Sequence, residues 1–300
     1  MSTVPPLFRG LIDDAAVFPP GSAPLPRAVA DHVARRGLWY AACVGPLLVP
    51  GAAAHESADL IAASGAATDD PVTVVVITRP GTDPTLAGQG VTALRMQPLA
   101  RVAGLEIGWQ PGWTHLDLPD LPLALEVPRG PDQPVAMAGL TAARERGRVV
   151  VAKFRTGATP SWAWPDEEEL AAFLHTAITL ALPVKLTGGL HHLVRADHPG
   201  RSGPTGGTGP VGGTDPGGGT DPQHGLLNVL LAVACALDGG SERAVAAVLA
   251  DRESERLVAA VRAFDAATTR AVRATFTAYG CCTVTDPIGE LVTTDLLTED

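Results

Sequence analysis

The chain has 300 residues, 46% of them hydrophobic, so it is long enough to bury a full core. Its formal net charge of -10 argues against nucleic-acid binding, because that function needs a basic face to neutralise phosphates. No basic start followed by an apolar run opens the sequence, and its most apolar stretch, 226–237, is too short to span a bilayer. We therefore expect a cytoplasmic protein with neither nucleic-acid nor membrane partners.

Eight short apolar runs lack the alternation of half-buried strands, which indicates strands buried on both faces of a parallel sheet. In chain order they are 7–13, 39–45, 72–78, 102–107, 121–127, 148–154, 183–187 and 281–285. Apolar residues at 3-4 spacing predict helices between them at 24–36, 55–64, 133–146 and 166–180. A long helical region, 225–279, has breaks near Gly239 and Asp251, and the Pro/Gly-rich connections after Thr78 and Ile107 predict degenerate helices.

This alternation of eight strands with helices predicts a single α/β domain over 1–300, a (β/α)8 barrel of the TIM type. An open doubly wound sheet is the alternative, because the first strand is weak. Residues 198–223 contain three tandem hexads, GGTGPV, GGTDPG and GGTDPQ, which predict a flexible low-complexity insertion. The hexads also spell Gly207-x-Gly209-x-x-Gly212, but no helix follows that could bind a phosphate, so we reject a dinucleotide site.

Lysine is rare in this sequence, which contains only Lys153 and Lys185 beside abundant arginine. Arginine stays protonated, whereas a lysine can shift its pKa and act as a nucleophile or base. Both lysines therefore become candidates for chemistry.

Charged residues fall near the carboxyl ends of the predicted strands, where barrel enzymes place their chemistry. They are Asp13, Glu106, Glu126, Lys153, Arg155 and Lys185. A charge inside an apolar strand must be paired, so we expect these side chains to cluster. Two neighbouring lysines would each lower the other's pKa and activate one for imine formation, while a carboxylate moves protons. The alternative is a set of salt bridges that only neutralises the barrel mouth.

The turn Thr187-Gly188-Gly189 follows Lys185, and its exposed backbone N–H groups predict an anion site in which Arg155 also takes part. Two histidines, His191 and His192, come next, and His224 and Asn228 follow the insertion at a spacing that predicts one helix face. We expect all four at the rim of the site. With Glu106 and Glu126, the histidines would also suit a divalent metal. Cys281 and Cys282 are interpreted as packing residues.

Several segments together resemble a family of bacterial proteins with no established activity. They are LIDDAAVFPPG (11–21), VGPLLVP (44–50), AKFRTG (152–157), VKLTGGLHH (184–192), HGLLNVLLA (224–232) and GCCTVTDPIGEL (280–291). The resemblance implies that these segments form one unit and implies no function. The chain departs from the family pattern in the hexads, in Gly157-Ala158 where Gly-Gly is expected, and in Cys281-Cys282 where Ser-Cys-Ser is expected. More loosely, paired lysines on adjacent late strands resemble class I aldolases of the deoxyribose-phosphate type.

The leading hypothesis is a lyase of class I aldolase type that acts on a small anionic carbonyl compound and needs no cofactor. In it Lys185 forms the imine, Lys153 lowers its pKa, Glu106 or Glu126 moves protons, and Asp13 helps to bind the substrate. The second hypothesis is a metal-dependent hydrolase or isomerase that uses Glu106, Glu126, His191, His192 and His224. The third is a non-catalytic ligand-binding barrel. A homo-oligomer is possible under all three.

Overall fold

A computed structural model describes residues 4–159, 162–199 and 220–299. Its strands are β1 (Ile12–Asp14), β2 (Val44–Pro50), β3 (Val72–Thr78), β4 (Ala100–Gly108), β5 (Leu123–Glu126), β6 (Val150–Arg155), β7 (Val184–Thr187), β8 (Ala196–Pro199), β9 (Thr220–Gln223) and β10 (Phe276–Cys281). Eight of them close into an all-parallel barrel in the order β1-β10-β7-β6-β5-β4-β3-β2. The predicted (β/α)8 barrel is confirmed, and the open sheet is excluded because β1 pairs with both β2 and β10.

Helices flank the barrel strands along the chain. They are α1 (Leu25–Arg35), α2 (Ala54–Ala62), α3 (Thr85–Arg95), α4 (Gln133–Glu145), α5 (Glu167–Thr179), α6 (Leu226–Leu237), α7 (Glu242–Leu249), α8 (Ser254–Arg262), α9 (Ala266–Thr275) and α10 (Thr285–Thr293). The connection after β4 is reduced to a single 3-10 turn, Trp113–His115, as predicted. The connection after β3 was also predicted to contain a degenerate helix, but α3 is a full helix. Pro84 does not prevent it, because this proline precedes the first turn, where a missing N–H costs nothing. In the described residues, no helix is both long and apolar enough to cross a membrane.

Three strand predictions are displaced along the chain. The segment before β1 forms a 3-10 turn at Pro6–Phe8, so the strand starts later than expected. β2 was expected to end before Pro46, yet it runs through this proline because the register with β1 shifts there. A proline without a ladder hydrogen bond is tolerated at such an irregularity. β10 follows α9 with no intervening turn, so the strand lies at Phe276–Cys281, within the end of the predicted helical region, and not at the predicted 281–285.

The ends of the 198–223 segment are ordered strands rather than a flexible insertion. Residues Ala196–Pro199 pair antiparallel with Thr220–Gln223. Buried Arg195 fixes this ribbon, because its guanidinium contacts the carbonyl of Pro222 and the carboxylate of Glu167, each at 2.6 Å. The predicted flexibility of the remainder and the rejected Gly207–Gly212 motif concern residues 200–219, which lie outside the described residues.

The loops that follow β6 and β7 pack without any gap. A Cβ added at Gly157 would lie 1.7 Å from the carbonyl oxygen of Gly188. Gly188 has φ +73°, the left-handed conformation that favours glycine. Glycine at both positions therefore lets the two loops meet at the carboxyl end of the barrel.

We expect Gly157→Ala to lower the free energy of unfolding by about 1–3 kcal/mol, because the new methyl group must displace backbone. Urea denaturation measures the change. Gly289→Ala is the matched control, since this exposed glycine of α10 has nothing within 4 Å of an added Cβ. It should be neutral or gain roughly 0.5–1 kcal/mol from the lower entropy of the unfolded chain. Equal stability of the two variants would contradict the tight contact.

Candidate active site

Lys185 holds a set of charged side chains together inside the barrel. Its ammonium group contacts a carboxylate oxygen of Asp13 and one of Glu106. Asp13 lies on β1 and Glu106 on β4, and neither strand is hydrogen-bonded to β7. Side chains from these three strands can only meet across the lumen, so the contacts place the cluster inside the barrel.

The contacts continue from Glu106 towards the mouth of the barrel. Lys153 Nζ lies 2.7 Å from Glu106 Oε2 and 3.0 Å from Glu126 Oε2. Arg155 Nε donates to Glu126 Oε1 over 2.8 Å. Acids and bases therefore alternate in one ionic cluster, which consists of Asp13, Lys185, Glu106, Lys153, Glu126 and Arg155.

The ionic cluster is almost fully buried and its formal charges cancel. Relative exposure is 1% at Glu106 and 8% at Glu126, with Asp13, Lys153 and Lys185 between these values. Arg155, whose side chain is 29% exposed, is the member that reaches towards solvent. Buried ions cost several kcal/mol each unless they are paired. The predicted clustering is present, and each charged side chain in it has a partner of opposite charge.

The expectation that the two lysines lower each other's pKa is wrong for Lys185. Burial acts to lower the pKa of Lys185, but Asp13 and Glu106 outweigh burial and raise it above its ordinary value. The reason is that Glu106 lies between the two ammonium groups and contacts both. Glu106 thus supplies negative charge to both ammonium groups.

The expected proton-moving role of Glu106 or Glu126 is not supported either. Burial acts to raise the pKa of Glu106, but Lys153 and Lys185 outweigh it and lower the value to about 2. In the same way, Lys153 and Arg155 outweigh burial and lower the pKa of Glu126. Both carboxylates therefore stay ionised at neutral pH.

Asp13 is the carboxyl group of the cluster that can gain or lose a proton near neutrality. Burial outweighs the attraction of Lys185 and raises its pKa to about 6. Its Oδ1 has no hydrogen-bond partner among the described residues. This oxygen faces the backbone of Gly45, where an added Cβ would lie 2.1 Å away, so only glycine leaves it room.

The turn at Thr187–Gly189 adjoins the exposed end of the ionic cluster. An added Cβ at Gly188 would lie 2.8 Å from Arg155 Nη1, so the guanidinium packs directly on this glycine. The carbonyl of Thr187 accepts from Thr156 N at 2.8 Å. The turn thus supports Arg155, and anion binding by its N–H groups stays a prediction.

The predicted rim of histidines does not form as a unit. His192 Nδ1 lies 2.6 Å from Glu290 Oε1, and its ring stacks on His198. His224 is buried against the carbonyl of Pro165 at 3.0 Å, and burial lowers its pKa to about 4. His191 contacts Cys281, Cys282 and Asp286 instead.

Asn228 was predicted to face the site, and it is structural instead. Its Oδ1 accepts from Arg195 N at 2.9 Å, and its Nδ2 donates to the carbonyls of Val248 and Asp251. These bonds use its amide inside the fold. The predicted common helix face with His224 is also wrong, because α6 begins at Leu226.

The alternative metal set of Glu106, Glu126, His191, His192 and His224 does not converge. The two glutamates contact Lys153, Lys185 and Arg155, and the histidines point to other partners. Across residues 4–159, 162–199 and 220–299, no group of three or more His, Cys, Asp or Glu side chains could hold a metal ion. A metal-dependent reaction at these residues therefore has no geometric support.

Arg79 is a neighbour of the site that the sequence analysis missed. Burial and then the like charge of Arg155 lower its pKa, while Glu126 acts in the opposite direction, which places Arg79 near both. Its guanidinium carbon also lies 5.1 Å from the centre of the Phe18 ring. Arg79 directly follows β3, so the rule that found the other charged residues would have included it.

Two surface cavities lie away from the ionic cluster. One of about 660 Å³ is lined by α2 and α3, with His55 and Gln89 at its wall. The other, of about 470 Å³, lies at the start of β2, β3 and β4 and is lined by Arg36 and Arg101. Neither is lined by a member of the cluster, so cavity size gives no support to a site there.

The fold and the ionic cluster define the class of the molecule: a (β/α)8 barrel with paired charges buried in its lumen. Comparisons with protein-family models, with curated proteins and with solved structures gave no significant match. The particular activity must therefore be argued from the chemistry of the cluster.

We expect Glu106→Gln to destabilise the fold by about 3–5 kcal/mol at pH 7, since it leaves two buried lysines short of one negative charge. The lowered pKa of Glu106 contributes stability above about pH 4.5 that is lost as the pH falls towards about 2. The gap between wild type and variant should therefore shrink in acid, which urea denaturation at several pH values measures. Glu255→Gln on the exposed face of α8 is the control and should change little. A pH-independent gap would contradict the charge-based account.

Proposed function

We propose that this protein is a lyase of class I aldolase type that acts on a small anionic carbonyl compound through a lysine imine. The observation that carries the proposal is the ionic cluster, which holds both lysines of the chain in the barrel lumen beside three carboxylates. Amine and carboxylate side chains in one buried site are the groups that imine chemistry requires.

We assign the imine to Lys153 rather than to Lys185, which reverses the roles suggested by the sequence. Lys185 has Asp13 to itself as an ion-pair partner and shares Glu106. Lys153 shares both of its carboxylates, Glu106 with Lys185 and Glu126 with Arg155. Lys153 therefore has no carboxylate of its own, which is the difference on which this assignment rests.

Asp13 supplies the proton acceptor that imine formation needs. The contacts run from Lys153 through Glu106 and Lys185 to Asp13, so a proton lost at Lys153 can be matched by one gained at Asp13. The neutral amine then bonds to the carbonyl carbon, and Asp13 returns its proton so that the carbonyl oxygen leaves as water and the nitrogen stays as an iminium. The iminium accepts the electron pair of the breaking carbon–carbon bond while the Asp13 carboxylate takes the proton of the β-hydroxyl group, so an aldehyde departs and an enamine remains. Asp13 gives this proton to the enamine carbon, and water hydrolyses the resulting iminium to release the second carbonyl product and free the lysine.

The anionic group of the substrate would bind Arg79 and Arg155. The like charge of Arg155 contributes to the lowered pKa of Arg79, and an anion bound by both guanidinium groups would offset this repulsion. Arg155 is already directed by Glu126 and by the Gly188 turn. The substrate is therefore proposed to carry a phosphate or carboxylate.

Borohydride reduction in the presence of phosphorylated and carboxylated aldehydes or ketones should trap an adduct on Lys153, located by peptide mass spectrometry. Lys153→Arg keeps the charge and should abolish trapping. Lys185→Arg should retain an adduct on Lys153 at a reduced yield. The absence of adducts on both lysines across the panel would sink the imine mechanism, and an adduct on Lys185 alone would restore the original assignment.

The rate of trapping should rise with pH through about 6, because Asp13 accepts a proton only when it is ionised. Asp13→Asn should remove this step and slow trapping roughly 10²–10⁴-fold, the usual contribution of a positioned base. Asp31→Asn, an exposed substitution on α1, is the control. A pH profile that is identical in wild type and Asp13→Asn would exclude Asp13 as the acceptor.

The other hypotheses gain no specific support from the structure. A non-catalytic ligand-binding barrel stays a prediction, as do a homo-oligomeric state and a cytoplasmic location. The non-catalytic reading differs from the proposal in one respect: it allows Lys153→Arg to leave ligand binding intact without any trapped adduct in the wild type.

A further inference from the structure

A second group of reactive side chains surrounds His191, outside the ionic cluster. Its Nε2 lies 3.5 Å from Cys282 Sγ, within hydrogen-bond range for sulfur. Its Nδ1 lies 3.5 Å from Cys281 Sγ and 3.4 Å from Asp286 Oδ2. The imidazole therefore stands between a thiol on one side and a carboxylate with a second thiol on the other.

The fold brings these residues together from two adjacent barrel strands. β10 ends at Cys281, so Cys282 is the first residue beyond the strand, and Asp286 lies in the first turn of α10. β7 pairs with β10, and His191 follows the glycine turn after β7. The group thus lies at the carboxyl end of the barrel, the end at which barrel enzymes carry out chemistry.

The geometry favours a proton relay over a metal site. A metal ion must be approached by all its ligands at one point, but the two sulfurs face opposite nitrogens of the same ring. With a proton on Nδ1 directed at Asp286, the unprotonated Nε2 can accept the thiol proton of Cys282. This is the arrangement of nucleophile, base and orienting acid that activates a thiol.

We propose that Cys282 is a nucleophilic thiol that accepts an acyl group from a small activated acyl compound such as a thioester. His191 Nε2 takes the thiol proton as Cys282 Sγ bonds to the carbonyl carbon. The bond from that carbon to the leaving thiolate breaks, and the thiolate receives the proton from His191. No oxidant or reductant is consumed. Asp286 orients the ring and stabilises its positive charge.

The surroundings of Cys282 differ from those of the other cysteines. Cys281 is buried, and its Sγ also lies 3.3 Å from the carbonyl of Thr283, whereas Cys282 is half-buried and within reach of solvent. Burial raises the pKa of Cys43 to about 12, and burial followed by Asp238 raises that of Cys235. Of the two vicinal cysteines, we therefore keep the interpretation as a packing residue for Cys281 and replace it for Cys282.

Alkylation by iodoacetamide at pH 6.5, followed by peptide mass spectrometry, compares all four cysteines in one sample. We expect Cys282 to react at least tenfold faster than Cys235. His191→Asn should slow this reaction at least tenfold at pH 6.5 and much less at pH 9, where an ordinary thiol ionises by itself. Cys281→Ser should leave the rate nearly unchanged and identifies which of the vicinal cysteines is labelled.

Acyl transfer is tested with p-nitrophenyl acetate and with a small acetyl thioester. We expect an acetyl group on Cys282 in the wild type, with loss of the adduct in Cys282→Ser and in His191→Asn. Asp286→Asn should slow acylation by a smaller factor and leave circular dichroism unchanged. Equal alkylation rates of Cys282 and Cys235, labelling of Cys281 in place of Cys282, or protection of both thiols by tightly bound zinc would each overturn the proposal.

Discussion

Compensation of buried charge inside the barrel is the constraint on which the rest of the structure depends. The lumen of such a barrel is usually filled by branched apolar side chains, but here three acids and three bases occupy much of it. A buried ion without a partner costs several kcal/mol, so each member is needed by its neighbours. A small apolar group of Ala15, Leu48, Val75 and Ile77 forms a buried cluster separate from the main hydrophobic core.

This compensation also divides the carboxyl groups by the direction of their pKa shifts. Glu106 and Glu126 each face two cations and remain ionised, whereas Asp13 faces one ammonium group and titrates near neutral pH. All three carboxyl groups are buried, so the number of cationic partners separates the two carboxylates with a lowered pKa from Asp13, whose pKa is raised. The two lysines differ in a similar way, because Lys153 shares both of its carboxylates whereas Lys185 has Asp13 to itself.

The sequence was sufficient to predict the barrel and the members of the cluster, because both follow from short-range patterns. Apolar runs marked the parallel strands, and charges near their carboxyl ends had to pair once buried. It could not show that Glu106 lies between the lysines, since that depends on three strands meeting across the lumen. The same limit explains the errors at His224 and Asn228, whose buried partners Pro165, Val248 and Asp251 are distant in sequence.

β10 carries no charged residue, yet it is as necessary to this arrangement as the strands that carry the charges. Ala278 and Gly280 of β10 are in register with Lys185 and Thr187 of β7. These small residues leave Lys185 room to reach past β10 to Asp13 on β1. A Cβ at Gly280 would already approach Thr187 Oγ1 to 3.3 Å. Cys282, the first residue after β10, contacts His191. β7 and β10 therefore contribute to both proposed chemistries through different residues, so substitution of Cys282 should leave the proposed lysine chemistry intact and allow the two proposals to be tested separately within one protein.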